Sequence, residues 1–310
     1  VTRWLVTGAA GMLGRDLVVA LGRLDGASVT AADRAALDVT DRRAVTEAVG
    51  GHDVVVNAAA WTDVDGAERA EDAATAVNGT AVAHLARACA GSGAVLVQVS
   101  TDYVFAGTTA GRYPEDGHPG PVNAYGRSKL VGEEAVRRLL PQRGYVVRTA
   151  WLYGEHGPNF VATMLDRAAR VPHVDVVEDL FGQPTWTVAL AAQLVALGRA
   201  ARAGQVPPGT YHGTSAGETS WYGLARALFA HAGLDPARVR PVSRTRFPRP
   251  AVRPVRTVLG HAGWTTTGLP PQGHWRAQVR AALATPGFAA LARAARQAEP
   301  GLAVTRTVDD

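Results

Sequence analysis

Tyr125 and Lys129, in the segment YGRSK, stand four residues apart, which places them on one face of a helix. Such a pair suits proton delivery. Reduction of a ketone by hydride leaves a developing alkoxide, and a phenol can protonate it if its ordinary pKa of about 10 is drawn toward neutrality. A neighbouring ammonium does this by favouring the phenolate, and it can also hold the ribose of a nicotinamide. A tyrosine and a lysine at this spacing also form ordinary surface pairs. What raises this pair above that reading is VSTDYVF, an apolar run that reaches Thr101, 24 residues before Tyr125. A strand ending there sets a hydroxyl at the carboxyl edge of a sheet, within reach of the same substrate oxygen.

A second group of residues could bind a dinucleotide. TGAAGMLG places Gly8, Gly11 and Gly14 between an apolar run and a helical stretch. Gly8 permits a tight turn, Gly11 close approach of a pyrophosphate, and Gly14 close helix packing. The anion would sit on the N-terminus of the helix that Met12 and Leu13 begin. Asp33 follows Gly14 by 19 residues and could accept from the adenosine ribose hydroxyls, favouring NADH. Arg34 and Arg15 could instead pair with a 2′-phosphate, favouring NADPH, and both cofactors remain open. Asp38 and Val39 of LDVT are candidates for the adenine. The small residues Ala58, Ala59 and Ala60 suit a backbone that passes close to the cofactor, or simple tight packing.

These residues need a sheet to carry them. Strand-like runs at 4–8, 28–33, 53–60, 94–101 and 145–151 alternate with helical stretches at 12–22, 41–49, 67–91 and 123–140. That alternation predicts an α/β fold, a Rossmann-type doubly wound parallel sheet covered on both faces. The dinucleotide-binding part spans 1–150, with further sheet elements near 174–212. The remainder, 151–310, is mainly a smaller C-terminal substrate-binding cap interleaved with it. A helix near 159–170, a strand at 174–178 and a helix through LAAQLVALGRAAR belong to this half. The last 20 or so residues, after PGF, are expected to form a loosely held tail.

Composition narrows the partners. Hydrophobic residues make up 47% and charged residues 19%, as in ordinary globular proteins. The net charge of +5 raises the question of nucleic acid, but the arginines are scattered and lack interleaved aromatics or a nucleic-acid motif. No apolar run is long enough for a membrane span, and no signal segment is visible, so a cytoplasmic protein is expected. The lone Cys89 excludes an internal disulfide and reads as buried filler.

Longer segments carry a family resemblance. VTGAAGMLG, LDVTD, VVNAAAWTDVDGAE, STDYVF, NAYGRSKLVGE, VRTAWLYG, DLFGQPT and YHGTSAGETSWYGLA run in order through nearly the whole chain. Together they resemble the dTDP-4-dehydrorhamnose reductases, a branch of the extended short-chain dehydrogenases. The resemblance implies NAD(P)H-dependent reduction of the C4 ketone of dTDP-4-dehydro-L-rhamnose or a related nucleotide deoxysugar, in rhamnose or antibiotic-sugar synthesis. It implies Thr101, Tyr125 and Lys129 as the catalytic set. It also implies Asp102, Tyr103 and Trp151 at the sugar, Arg253 near the diphosphate, and Trp221 and Tyr222 packing the cap. A homodimer is compatible with it.

The chain also departs from the family. Leu180 stands where glutamine is usual, and Arg256 replaces the usual asparagine, so a changed sugar is open. Arg15 occupies the place of an acid that holds magnesium in some members, so no metal is expected. An epimerase or dehydratase is a second reading, although Tyr103 follows Asp102 where a dehydratase has glutamate. A third is a non-catalytic subunit resembling the beta subunit of methionine adenosyltransferase, against which the retained Thr101, Tyr125 and Lys129 count.

Overall fold

The computed structural model describes residues 1–298. Its centre is a six-stranded sheet, and every neighbouring pair runs parallel. The first five strands are β1 (Thr2–Thr7), β2 (Ala27–Ala32), β3 (Val54–Asn57), β4 (Val95–Thr101) and β5 (Gly144–Thr149). After these come the short pieces β6 (Leu152–Tyr153), β7 (Val174–Val177), β8 (Phe181–Gly182) and β9 (Thr185–Trp186). The sixth sheet strand is β10 (Gly209–His212). The order is β10-β5-β4-β3-β1-β2, so the winding reverses at β1 and opens a crevice beyond the carboxyl ends of β1 and β3.

Alternation along the strands divides the core in two. Trp4, Val6, Val54 and Val56 face one side, against Leu13, Leu17 and Leu21 of α1 (Met12–Gly22). Leu5, Val55, Leu96 and Val146 face the other side, with Val45 of α2 (Arg42–Val49). This period of two is what a pleated strand imposes, and full burial contributes roughly 1.5–3 kcal/mol per large apolar side chain. The edge strand β2 is half exposed, unlike the apolar runs beside it.

The stretch expected as one helix over 67–91 is broken. It comprises α3 (Val64–Ala67), α4 (Glu71–Thr75), a π-helical turn at Ala76–Thr80 and α5 (Ala81–Ser92). The widened turn lets Asn78 bond both main-chain groups of Trp61 and the Ser128 hydroxyl, at 2.9–3.0 Å. It also brings the Asn78 carbonyl so close to α6 (Ala124–Leu139) that a Cβ on Gly132 would lie 2.3 Å away.

The second half feeds both layers. α7 (Phe160–Ala168) packs in the cap, whereas α8 (Thr187–Arg202) returns to cover the sheet beside α1. Beyond β11 (Thr219–Ser220) come α9 (Trp221–Ala232), β12 (Val239–Val242), α10 (Trp275–Leu283) and α11 (Pro286–Gln297). The strand expected at 174–178 does not join the main sheet. It pairs with β12 in the cap, where Val174, Val176 and Val239 share a core with Leu228 and Phe229. The loosely held tail is also corrected: α11 runs to Gln297 and buries Phe288, Ala292 and Ala295 against that core. The rest of the tail lies outside the described residues.

Candidate active site

The ends of β1, β3, β4 and β5 open into a cavity of about 1160 Å³ that continues under the cap. Gly8, Gly11, Met12, Leu13 and Gly14 form one end of it. Gly8 has φ of +68°, and a Cβ there would lie 2.6 Å from the Ala59 nitrogen. A Cβ on Gly14 would lie 2.2 Å from the Gly8 carbonyl oxygen. Only glycine fits either position. No side chain caps α1 at Gly11, so the first N–H groups of the helix remain open to an anion. A dinucleotide pyrophosphate fits this cradle.

Asp33, Arg34, Asp38 and Val39 line the same end, and Ala58, Ala59 and Ala60 its floor. Asp33 spends one oxygen on the N–H groups of Ala35 and Ala36, at 3.0 and 2.9 Å. Asp38 accepts from the Thr40 hydroxyl and N–H, which hold its carboxyl below the usual range. Arg15 and Arg34 are exposed on the rim.

Thr101, Asp102, Tyr103, Tyr125, Lys129 and Trp151 all line the cavity where it passes under the cap. The first turn of α6 is capped by Asn123, which accepts from Gly126 N–H at 2.8 Å, and by Glu68, which accepts from Ala124 N–H at 2.8 Å. That fixes Tyr125 beside the end of β4, with the Tyr103 ring edge-on at 6.0 Å. The expected lowering of the phenol pKa is overturned. Burial pushes Tyr125 up to about 12, the nearby Thr101 hydroxyl opposes this, and the Asp102 charge adds to it. Lys129 points elsewhere: its Nζ donates to the Val99 carbonyl at 2.7 Å. Burial brings that ammonium down to about 8, and Glu133 pulls the other way.

Polar residues behind this group were not legible as such. Asn57 donates to Gln98 at 2.7 Å, and Gln98 donates to the same Val99 carbonyl that Lys129 uses, at 2.7 Å. One turn beyond Lys129, Glu133 forms a fully buried two-point ion pair with Arg148 of β5, at 2.9 and 2.7 Å. Ser100 donates to the same carboxylate at 2.6 Å. The pair locks α6 to the two strands that end at the site.

The cap supplies the remaining wall. Trp151 has φ of +46°, which turns the chain out of the sheet after β5. Its ring stacks on Trp221, which also lines the cavity and so does more than pack the cap. Trp221 follows the helix-capping Ser220, a signal that marked a helix start but not a site. Arg253 is not among the residues lining the cavity. It makes a two-point pair with Asp65, at 3.0 Å each, and Arg256 does the same with Glu218 at 2.8 Å. Both guanidiniums are drawn to carboxylates that the sequence did not pair with them. Asn159 caps α7, accepting from the Ala162 N–H at 3.0 Å. Thr257, which no motif marked, donates to the buried carboxylate of Asp102.

Comparison with known proteins agrees with this geometry. The model of the RmlD substrate binding domain matches residues 2–287. The chain is 52% identical to a dTDP-4-dehydrorhamnose reductase of Streptomyces griseus, over 96% of this chain and 97% of that one. It is 51% identical to a dTDP-4-keto-6-deoxy-D-glucose reductase of Streptomyces niveus, over 88% and 93%. A crystal structure of dTDP-4-dehydrorhamnose reductase from Bacillus anthracis in complex with NADP superposes with a TM-score of 0.83. Identity there is 32%, covering 91% of this chain and 98% of that one.

Proposed function

The chain belongs to the dTDP-4-dehydrorhamnose reductase family, and from that premise we infer that it reduces the C4 ketone of dTDP-4-dehydro-L-rhamnose or a closely related nucleotide deoxysugar. The observation that carries this reading is the convergence of Thr101, Tyr125 and Lys129 in one cavity with an uncapped, glycine-lined helix N-terminus.

That cradle would hold a reduced nicotinamide cofactor, whose chemistry when bound would be hydride donation to C4. The open N–H groups at Met12 and Leu13 would hold its diphosphate, and Lys129 would meet the nicotinamide ribose. The exposed Arg34 and Arg15 favour NADPH, because Asp33 already spends one oxygen on its own turn. Tyr125 gives its proton to the oxygen at C4. With a pKa of about 12 it is fully protonated at neutral pH, and an alkoxide is basic enough to take the proton. Thr101 orients that oxygen. The stacked, half-buried rings of Trp151 and Trp221 limit water on the cap side, which strengthens the hydrogen bonds inside.

Absorbance at 340 nm, followed with NADPH or NADH and the 4-keto sugar nucleotide made in situ by an epimerase, tests the reading. Oxidation that depends on the epimerase is expected. Cofactor binding without oxidation of either cofactor would overturn it.

A further inference from the structure

The Val99 carbonyl, near the end of β4, accepts two hydrogen bonds, from Lys129 Nζ and from Gln98 Nε2, each at 2.7 Å. β3 stops at Asn57, opposite Gln98 in the parallel register, so Val99 has no partner residue on that strand. A carbonyl oxygen offers two lone pairs. Gln98 fills one, and the ammonium takes the other from the cavity, which Lys129 and Val99 both line. Resting on the reductase reading above, we propose that Gln98 is the positioning residue for Lys129: it fixes the Val99 oxygen from behind and so aims the ammonium at the nicotinamide ribose.

Gln98 is itself held by a line of hydrogen bonds that begins under the cofactor floor. The Ala59 N–H donates to Asn57 Oδ1 at 3.2 Å, and the Thr7 hydroxyl donates to the same oxygen. Asn57 Nδ2 donates to Gln98 Oε1 at 2.7 Å, and Gln98 Nε2 donates to Val99. Both ends of the line are main-chain groups, an N–H that can only donate and a C=O that can only accept. Asn57 must therefore turn its amide nitrogen, and Gln98 its amide oxygen, to the bond they share. The order cannot be reversed without breaking an end, so Gln98 always presents a donor to Val99.

Lysine needs such a hold. Its ammonium is a compact charge with three donors on a flexible stem, and it follows whichever acceptor is nearest. One donor goes to Val99, which leaves two for the ribose hydroxyls. The competing acceptor is Glu133, one turn further along α6, and its oxygens are already taken by Arg148 and Ser100. Gln98 and Asn57 are buried and lie outside the cavity lining, so their influence on a bound cofactor runs through Val99 and Lys129.

The test compares two affinities, measured by fluorescence at neutral pH on the full chain. One is for NADPH or NADH, whichever turns over, and the other for its adenosine half, 2′,5′-ADP or AMP, which lacks the nicotinamide ribose. Gln98→Met keeps the length and removes the donor, so it should weaken the whole cofactor roughly tenfold and leave the adenosine half within about twofold. In a Lys129→Met background the same substitution should change cofactor affinity less than about twofold, because the two residues act as one unit. Gln98→Glu keeps the bond from Asn57, and with it the floor, if Gln98→Met fails to fold. Asn57 and the ammonium both favour its ionised form, which offers Val99 no donor and draws Nζ to itself. It should show the same selective loss. Equal losses with both ligands, a loss that persists at full size in the Lys129→Met background, or unchanged cofactor affinity would overturn the proposal and leave Gln98 a structural residue. Absence of wild-type turnover would instead overturn the reductase reading.

Discussion

Trp151 and Trp221 lie face to face, ring centroids 3.6 Å apart and planes within 9° of parallel. Trp151 leaves the sheet at the end of β5, and Trp221 begins the cap helix α9, so the stack closes the cavity between the two layers. Gly182 makes room for it, since a Cβ there would lie 2.5 Å from the Trp151 ring. The stack is worth about 0.5–1.5 kcal/mol beyond the area it buries. Trp221→Ala should raise KM for the sugar nucleotide roughly tenfold and change kcat less than about threefold, since it removes binding shared by ground and transition states. Initial-rate kinetics decide this, and an unchanged KM would reduce Trp221 to cap packing.

Tyr125→Phe separates binding from chemistry. The ring still packs against Tyr103 and the floor of the cavity, so cofactor affinity measured by fluorescence should stay within about twofold. Turnover should fall about a hundredfold or more, the scale of a lost general acid. Wild-type turnover in this variant would remove Tyr125 from the mechanism.

Arg34 offers a test of cofactor choice. A guanidinium pairs with a 2′-phosphate by charge-assisted bonds worth about 1.5–3 kcal/mol. Arg34→Ala should therefore cut kcat/KM for NADPH roughly tenfold and leave NADH within about twofold. Equal losses with both cofactors would show that Arg34 supports the turn and does not read the phosphate.

The glycine turn, the strand ends and the Thr101–Tyr125–Lys129 set were legible because each is written in local sequence. Gly8 and Gly14 answer to backbone geometry, and Tyr125 and Lys129 to helical spacing. What the sequence hid are partners chosen across the fold. Arg253 was expected at a diphosphate and is held by Asp65, 188 residues away in the chain. Thr257 reaches Asp102 over 155 residues, and neither residue type nor spacing points to the contact. The direction of the Tyr125 pKa was misjudged for a related reason. Spacing revealed the nearby ammonium, but only the packed structure reveals how much water the phenol has lost.

The Glu133–Arg148 pair, each side chain 1% exposed, offers a test of stability alone. Taking two charges out of water is costly, and their attraction and added hydrogen bonds offset it only while both partners remain. Glu133→Gln leaves the Arg148 guanidinium buried without a counter-charge and should destabilise the protein by about 3–5 kcal/mol. Urea denaturation measures this. A loss below about 1 kcal/mol would mean that water or the Glu115 carbonyl, already an acceptor from Arg148 at 3.2 Å, satisfies the cation.

Lys129 carries the opposite cost, one tolerated for function. Burial lowers its pKa from 10.5 to about 8, so the folded state binds its proton less firmly than the unfolded state does. The penalty is present in full below pH 8, and at roughly 1.4 kcal/mol per pKa unit it approaches about 3 kcal/mol. Between pH 8 and 10.5 the unfolded chain holds more protons than the folded one, so this group makes stability rise with pH and the penalty fades. Lys129→Met keeps the stem and removes the charge along with one bond to Val99, which is itself worth about 1.5–3 kcal/mol. The net effect at pH 7 should therefore be small, within about 1 kcal/mol of wild type, while turnover collapses. Above pH 8 the wild type should gain on the variant as its penalty fades. Denaturation curves at pH 7 and pH 9.5 check this, and a wild type that gains nothing on the variant over that interval would show that Lys129 stays charged in the folded protein.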